Sequence, residues 1–407
     1  MLMGTALAAG LGFFSNVILG RVLPIEIFGE VAFFYTCITL IFTVAEMGFG
    51  TQYVVKTNNC KSENFNTIAY QMNSHFSNRR PLVLLVVCAF TIPASLVYGL
   101  TLTSVIGIVI GSYFLVVHKY LMSVCQSRAD WKNFNLVQMS PQLLRIVGYL
   151  LVGLFVFSNP NNKYLLEISE FALIASIVLA VSLSQAWMSK EYLKQGDFKA
   201  TTDTNLMSGI RTQASINCVI ILLTKVDIFL VMYFFDSSAV GLYFAANSVA
   251  MIFPLITRSL TSVYLQRLSS LTKADSLNLL REQWRLLPAV LFFVLLLWIF
   301  SEPIMLFTYG SEFSEAGALL LILSLGYLGG IIFVPFESYF YGRFPKNVLI
   351  SKVLSLITML ALVSFLIKEY GLLGIAISLL LSKFLGWVVI TYFYKKASNV
   401  NEVFEIN

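Results

Sequence analysis

The chain has 407 residues, of which 58% are hydrophobic and only 12% charged, and its formal net charge is +6 at pH 7. Because soluble globular domains carry about 25% charged residues, this composition excludes a soluble globular protein. Apolar runs of about 20 residues, the length of one membrane-spanning helix, recur along the whole sequence. The chain is therefore predicted to be an all-α, polytopic integral membrane protein.

Hydropathy predicts about twelve membrane-spanning helices, with boundaries accurate to a few residues. The first span has no basic segment before it and no small-residue cleavage site after it, so we interpret it as a retained helix and not as a signal peptide. The connections between spans are too short to form a folded domain. The predicted spans lie near residues 2–22, 30–50, 82–100, 103–123, 138–158, 168–188, 213–235, 240–266, 288–308, 316–340, 347–367 and 371–394.

The distribution of basic residues predicts the orientation in the membrane. Most of the 27 lysines and arginines lie in connections that follow even-numbered spans, or in the C-terminal tail. Short loops rich in lysine and arginine remain in the cytoplasm, so both termini are predicted to be cytoplasmic. Membrane topology thus accounts for the positive net charge, and nucleic-acid binding is not predicted.

Cysteine and histidine give no sign of a metal site or a disulfide framework. The five cysteines show no C-x-x-C spacing, and the chain has only two histidines. We therefore predict no metal, no cofactor and no histidine-based catalytic triad.

An internal repeat is visible at an offset of 212 residues. Residues 27–29 (Ile-Phe-Gly) match residues 239–241 (Ala-Val-Gly), and residues 63–66 (Glu-Asn-Phe-Asn) match residues 275–278 (Asp-Ser-Leu-Asn). The alternative is chance similarity between apolar helices, but polar loop residues match as well. Each half has six spans, so the halves share one orientation and a pseudo-two-fold axis along the membrane normal is predicted. The two predicted six-helix lobes are residues 1–195 and 196–407.

The matched connections carry apolar residues at helical spacing. In residues 63–76 and 275–287 this pattern predicts helices that lie in the plane of the inner membrane surface, with arginines towards anionic headgroups. The alternative is that both segments are linkers that pack on neighbouring helices.

Residues 224–264 read TKVDIFLVMYFFDSSAVGLYFAANSVAMIFPLITRSLTSVY. This order of an apolar helix with an aspartate, a short polar turn, Val-Gly-x-Tyr and a small-residue helix resembles the seventh and eighth helices of the polysaccharide transporters. These are flippases of the multidrug/oligosaccharidyl-lipid/polysaccharide exporter superfamily. Pro24 stands where that family usually has glycine. Further segments that resemble the family are residues 21–55, 304–326, 341–350 and 370–387.

The resemblance implies a function in the inner membrane of a bacterium. A polyprenyl-diphosphate-linked oligosaccharide, such as an O-antigen or similar surface polysaccharide repeat unit, would pass from the cytoplasmic to the outer leaflet by alternating access. The expected partners are this substrate, membrane lipids and the polysaccharide polymerase machinery. One alternative is a multidrug/cation antiporter of the same superfamily. An integral-membrane polymerase or ligase is disfavoured, because such enzymes need a sizeable external loop, so the chain is predicted not to be an enzyme.

We single out eight of the ionisable residues predicted inside spans, where charge is expensive. A Lys, Arg or Asp at the centre of a helix costs about 2.5–3.5 kcal/mol on insertion. Glu46, Glu337 and Lys352 lie close to cytoplasmic ends, where snorkelling or interfacial pairing explains them. The other five lie deeper in the membrane: they are Arg145, Lys225, Asp227, Arg258 and Lys383.

Two interpretations of the deep charges remain open. Lys225 and Asp227 are two residues apart on one helix and cannot easily pair with each other. One interpretation is an interhelical salt bridge, Asp227–Lys383 or Asp227–Arg258, that only holds helices together. The other is a cavity with an excess of positive charge, which suits a diphosphate. In that case Arg145, Lys225, Arg258 and Lys383 bind substrate, and Asp227 is the candidate for ion coupling.

Overall fold

The computed structural model describes residues 2–46, 48–58, 65–159, 162, 164–191, 210–257, 260–261, 285 and 287–399. Within these ranges the regular structure is entirely helical. The helices are α1 (Leu2–Val22), α2 (Ile25–Glu46), α3 (Phe49–Asn58), α4 (Phe65–Tyr98), α5 (Leu102–Ser127), α6 (Trp131–Ser158), α7 (Leu165–Glu191), α8 (Ile210–Phe234), α9 (Ser237–Ala250), α10 (Leu287–Thr308), a 3-10 helix (Ser311–Ala316), α11 (Gly317–Arg343) and α12 (Pro345–Asn399).

The prediction of an all-α, multi-pass membrane protein is confirmed. Eleven helices in the described part of the chain are long and apolar enough to cross a membrane. The last of these runs for 49 residues, from Lys346 to Tyr394, which is far more than the roughly 20 residues that one crossing needs. It is interrupted at Gly371, whose φ of 54° and ψ of −130° are not helical. The two predicted spans 347–367 and 371–394 meet at this glycine.

The prediction of a separate in-plane helix at 63–76 is wrong. Residues from Phe65 onwards belong to α4, which continues through Pro81 as far as Tyr98. Two of the apolar positions that suggested a lipid-facing stripe are buried in protein instead: Met72 is fully buried and Phe76 nearly so. Most of the second predicted segment, residues 275–284, lies outside the described residues.

The chain divides into two compact units, residues 1–241 and 242–407. In the first unit α2 packs against α4, α5, α7 and α8, while α6 lies between α1 and α7. In the second unit α11 packs against both α10 and α12. The predicted division into lobes at residues 195 and 196 stays a prediction.

Two glycines allow a close backbone crossing between the start of α2 and the start of α9. A Cβ atom on Gly29 would collide with the carbonyl oxygen of Ser237, and one on Gly241 would lie 2.6 Å from the carbonyl oxygen of Ile25. The contact is reciprocal, because Ile25 and Gly29 correspond to Ser237 and Gly241 at the 212-residue offset. The predicted repeat and its two-fold axis stay predictions.

We expect Gly29→Ala to destabilise the protein by roughly 1–3 kcal/mol, because the added methyl group meets backbone atoms that cannot rotate away. Gly10→Ala is the matched control, since a Cβ atom on this helical glycine has no atom within 4 Å; it should be neutral or stabilise by up to about 1 kcal/mol. Thermal unfolding of the purified variants in detergent measures both. Equal unfolding temperatures would contradict the close crossing.

Candidate functional site

A stripe of polar side chains on α6 runs along the interface with α1. Asn135, Gln138, Gln142, Arg145 and Tyr149 follow one another at intervals of three and four residues, which places them on one face of the helix. At the start of the stripe, Thr5 Oγ1 of α1 donates a hydrogen bond to Gln138 Oε1 at 3.4 Å. The first unit therefore contains a polar seam between α6 and α1.

Arg145 is the charged residue of this seam, and only 4% of its surface is exposed. Its Nη2 donates to the carbonyl oxygen of Gly12 at 3.1 Å, and its guanidinium carbon lies 4.9 Å from the ring centroid of Tyr35. In the described part of the chain, Arg145 Nε, Gln142 Oε1 and Asn135 Oδ1 are buried without a hydrogen-bond partner. Such groups are costly unless water or a ligand completes their hydrogen bonding.

α8 carries the second group of predicted site residues. Asp227 is fully buried, and its Oδ1 accepts a hydrogen bond from the backbone nitrogen of Ile228 at 2.9 Å. Lys225, one half-turn earlier, is half-buried. Both residues thus lie inside the first unit's helical bundle, as their position in the middle of a span predicts.

Aromatic contacts fix the position of α8 against the first unit. The ring of Phe229 lies 5.2 Å from Phe33 and 5.7 Å from Tyr98, measured between ring centroids. The hydroxyl group of Tyr98 also donates to the carbonyl oxygen of Phe229 at 3.2 Å. The Phe229 contacts hold the helix that carries Lys225 and Asp227 in a defined position.

Lys383 lies in the second unit, on the second half of α12. Its Nζ is 3.3 Å from the ring centroid of Tyr327 on α11, which is a cation–π contact. The hydroxyl group of Tyr327 donates to Asn247 Oδ1 at 2.9 Å. The structure therefore places this lysine in a polar network within its own unit.

The three charges predicted near the membrane surface have local partners. Lys352 Nζ donates to Glu337 Oε1 at 2.6 Å, so the prediction of interfacial pairing is confirmed for this pair. Glu46 accepts hydrogen bonds from the backbone nitrogens of Gly48 and Gly50 at 2.9 and 2.5 Å. It caps the start of α3 and has a structural role. Arg258, the remaining predicted site residue, lies outside the described residues.

The amino-acid sequence matches a known protein family. The family described as "Polysaccharide biosynthesis protein" matches residues 1–271, which is more than half of the chain. The chain belongs to the polysaccharide biosynthesis protein family. The family resemblance predicted from the motifs is thereby confirmed.

A curated relative supports this membership over a shorter region. It is the capsular polysaccharide biosynthesis protein CapF of Staphylococcus aureus, which is 28% identical over 169 residues. The match spans 40% of this chain and 42% of the length of CapF.

Solved structures similar to this family member show the fold. A lipid II flippase MurJ in an inward closed conformation superposes with a TM-score of 0.74 at 14% identity, covering 97% of this chain and 87% of MurJ. An inward-facing multidrug resistance MATE transporter gives 0.71 at 13% identity, with 97% and 96% covered. A Vibrio cholerae MATE transporter gives 0.66 at 14% identity, with 98% and 95% covered. The chain has the fold that these solved structures share.

Sequence reasoning missed several polar residues of this family member. Ser104 Oγ donates to both carboxylate oxygens of Glu170, at 3.0 and 2.8 Å, and Glu170 is only 6% exposed. Its position inside the predicted span 168–188 was the available signal. No sequence signal indicated Tyr327 and Asn247, because nothing in their local sequence links them to Lys383.

The contact between Lys383 and Tyr327 should be measurable as a coupling energy. A double-mutant cycle of Tyr327→Leu and Lys383→Met is expected to give about 0.5–2 kcal/mol, because either change alone removes the cation–π contact. Unfolding of the four proteins in detergent provides the cycle, which also cancels any stability gained by removing a buried charge. Tyr327→Phe is the control that retains the ring. A coupling energy near zero would contradict the contact.

Proposed function

We propose that the chain is a flippase that carries a polyprenyl-diphosphate-linked oligosaccharide from the cytoplasmic to the outer leaflet of a bacterial inner membrane by alternating access. The observation that carries the proposal is Arg145, an almost fully buried cation in mid-span whose Nε has no hydrogen-bond partner within the described residues. A guanidinium group in this state is a ready donor for phosphate oxygens. Membership of a polysaccharide biosynthesis family supports a sugar-bearing substrate.

The diphosphate is the chemical group that needs help to cross. It carries negative charge that hydrocarbon cannot solvate, whereas the polyprenyl tail can remain in lipid. In this proposal Arg145, Lys225, Arg258 and Lys383 bind the diphosphate and the first sugars. An O-antigen repeat unit or a similar surface polysaccharide unit would share this chemistry, since the cations recognise the phosphates and not the distal sugars.

Asp227 is the proposed coupling residue. It is fully buried on the same helix as Lys225, so binding of a proton or a metal cation there would change the charge within the span. The competing role for Asp227 is a structural salt bridge with Lys383 or Arg258. In that case, exchanging the two charges of the pair should restore a protein level that the loss of one charge lowers.

The proposed setting is a two-lobed transporter with both termini in the cytoplasm and with lobes formed by residues 1–195 and 196–407. The surface polysaccharide polymerase machinery is the proposed protein partner, because it would consume the lipid-linked product in the outer leaflet.

A multidrug/cation antiporter is the second candidate, and it is favoured by the TM-score of 0.71 to a multidrug MATE transporter. A binding site for cationic substrates needs buried acidic residues, and both Asp227 and Glu170 are buried. The flippase is the better-supported proposal, because the deep charges include more bases than acids and because the family match is to polysaccharide biosynthesis.

Transport by the purified protein in proteoliposomes tests the function. We expect wild type to translocate a fluorescent polyprenyl-diphosphate-linked oligosaccharide, and Arg145→Gln or Lys383→Gln to lower the rate about tenfold or more, since a charge-assisted hydrogen bond is worth about 1.5–3 kcal/mol. The double variant Glu337→Gln/Lys352→Gln is the matched control, because it removes an in-span lysine together with its partner. Efflux of a cationic dye with no movement of the lipid would instead support the antiporter.

The orientation is tested with single cysteines in a cysteine-free background. Glu312→Cys and Lys132→Cys both introduce an exposed thiol, at opposite ends of the predicted spans. Since the distribution of basic residues places the loop at 132 in the cytoplasm, a membrane-impermeant maleimide should label position 312 in intact cells. Position 132 should react only after permeabilisation. The reverse pattern would mean that the orientation is inverted.

A further inference from the structure

A pocket outside the polar seam opens in the first unit, where the end of α2 meets α4 and α5. It lies at the end of the bundle that the basic residues predict to face the cytoplasm. Most of its wall is apolar or aromatic, and three polar side chains complete it. The lining residues are Ala45, Glu46, Phe49, Gly50, Phe76, Arg79, Leu82, Val83, Val116 and Tyr120.

Stacking and hydrogen bonds position the aromatic wall of the pocket. The rings of Phe76 and Tyr120 stack with centroids 4.1 Å apart and planes only 5° from parallel. The hydroxyl groups of Tyr120 and Tyr53 both donate to Asn73 Oδ1. Burial raises the pKa of Tyr53 to about 12, so this phenol remains a neutral donor. The pocket is therefore a formed cavity whose wall two hydrogen bonds hold in place.

Glu46, the acid that lines the pocket, does not neutralise the positive charge of Arg79. Glu46 accepts hydrogen bonds from the backbone nitrogens of Gly48 and Gly50, and it forms no ion pair within the described residues. Arg79 likewise forms no ion pair with any carboxylate of the described part of the chain. The guanidinium group of Arg79 can therefore accept an anionic ligand without first breaking an internal salt bridge.

A second arginine stands at the edge of the same wall. Phe76, Arg79, Arg80 and Val83 are spaced to share one side of α4, and the guanidinium carbon of Arg80 lies 5.8 Å from the ring centroid of Phe76. Its Nε is buried and has no hydrogen-bond partner within the described residues. Two guanidinium groups from one side of α4 match a ligand with two linked phosphates better than one with a single phosphodiester.

The pocket also borders the lipid. Leu82 lines it and is 45% exposed, and Leu84 and Leu85 on the same helix are 45% and 64% exposed. In a membrane-spanning helix such exposed leucines face hydrocarbon. A ligand with an apolar tail could thus place its tail along α4 while its charged head contacts Arg79.

We propose that this pocket is a docking site for the polyprenyl diphosphate end of the lipid-linked substrate, occupied from the inner leaflet before translocation. The diphosphate contacts Arg79 and Arg80, and the first isoprene units lie against Leu82 and Val83. The proposal rests on the proposed function, but it concerns a site separate from Arg145 and from the charges of α8. Docking there would concentrate the lipid-linked substrate at the protein.

Photocrosslinking of the purified full-length protein tests the site without requiring transport. p-Benzoylphenylalanine is introduced at Leu82 and, as the matched control with the same exposed fraction, at Leu84. The probe is radiolabelled polyprenyl diphosphate in detergent, and covalent adducts are counted. We expect position 82 to capture the probe and position 84 to capture much less. Arg79→Gln should reduce capture at 82 about tenfold, whereas Lys132→Gln, an exposed charge loss on the same predicted side, should not.

Competition identifies the ligand. Excess phosphatidylglycerol and excess inorganic pyrophosphate should each displace the probe poorly. Displacement by phosphatidylglycerol at equal concentration would make this a general anionic-lipid site, and displacement by pyrophosphate would make it a site for soluble anions; both results overturn the proposal. Equal capture at positions 82 and 84, or capture that is unaffected by Arg79→Gln, also overturns the proposal.

Transport by wild type with no capture at 82 would reject the docking site alone, whereas capture without transport would reject the proposed function.

Discussion

The close crossing of α2 and α9 is the steric constraint on which the first unit depends. At Gly29 and Gly241 the two helices approach until backbone lies against backbone, which is possible only without side chains. α2 continues from this crossing as the most enclosed helix of the unit, packed by α4, α5, α7 and α8. Ser237 adds a hydrogen bond to Glu30 at 3.2 Å. A side chain at Gly29 would therefore displace the start of α2, the helix against which these others pack.

Within the spans, buried charged side chains are stabilised by neighbouring groups. Arg145 has a carbonyl group and an aromatic ring as partners, and Lys383 has the ring of Tyr327. Neutral partners of this kind lower the cost of a buried cation without cancelling its charge. A carboxylate partner would cancel it, as Glu337 does for Lys352. Because its partners are neutral, Arg145 remains able to attract an anion, whereas the charge of Lys352 is neutralised by Glu337.

The spans could be predicted from the sequence, whereas the partners of the buried charges could not. Hydropathy is a sum over about 20 neighbouring residues, so it located the helices and failed only where local signals conflict. At 63–76 an amphipathic pattern suggested the membrane surface, although the side chains of Met72 and Phe76 are buried in protein. The contact of Lys383 with Tyr327, 56 residues away, depends on how α11 and α12 pack. Hydropathy carries no information about that packing.

The sign of the deep charges is the physical property that separates the two candidate functions, because the fold is common to flippases and multidrug transporters. A transporter of cations must present acids where its substrate stops, and a transporter of diphosphates must present bases. Here the mid-span acid Asp227 shares a helix with Lys225, and the polar seam in the first unit is centred on an arginine. An organic cation that approached Arg145 would meet like charge in a medium of low dielectric constant, where repulsion is strongest. A diphosphate would find at the same place the donors that it loses on leaving water.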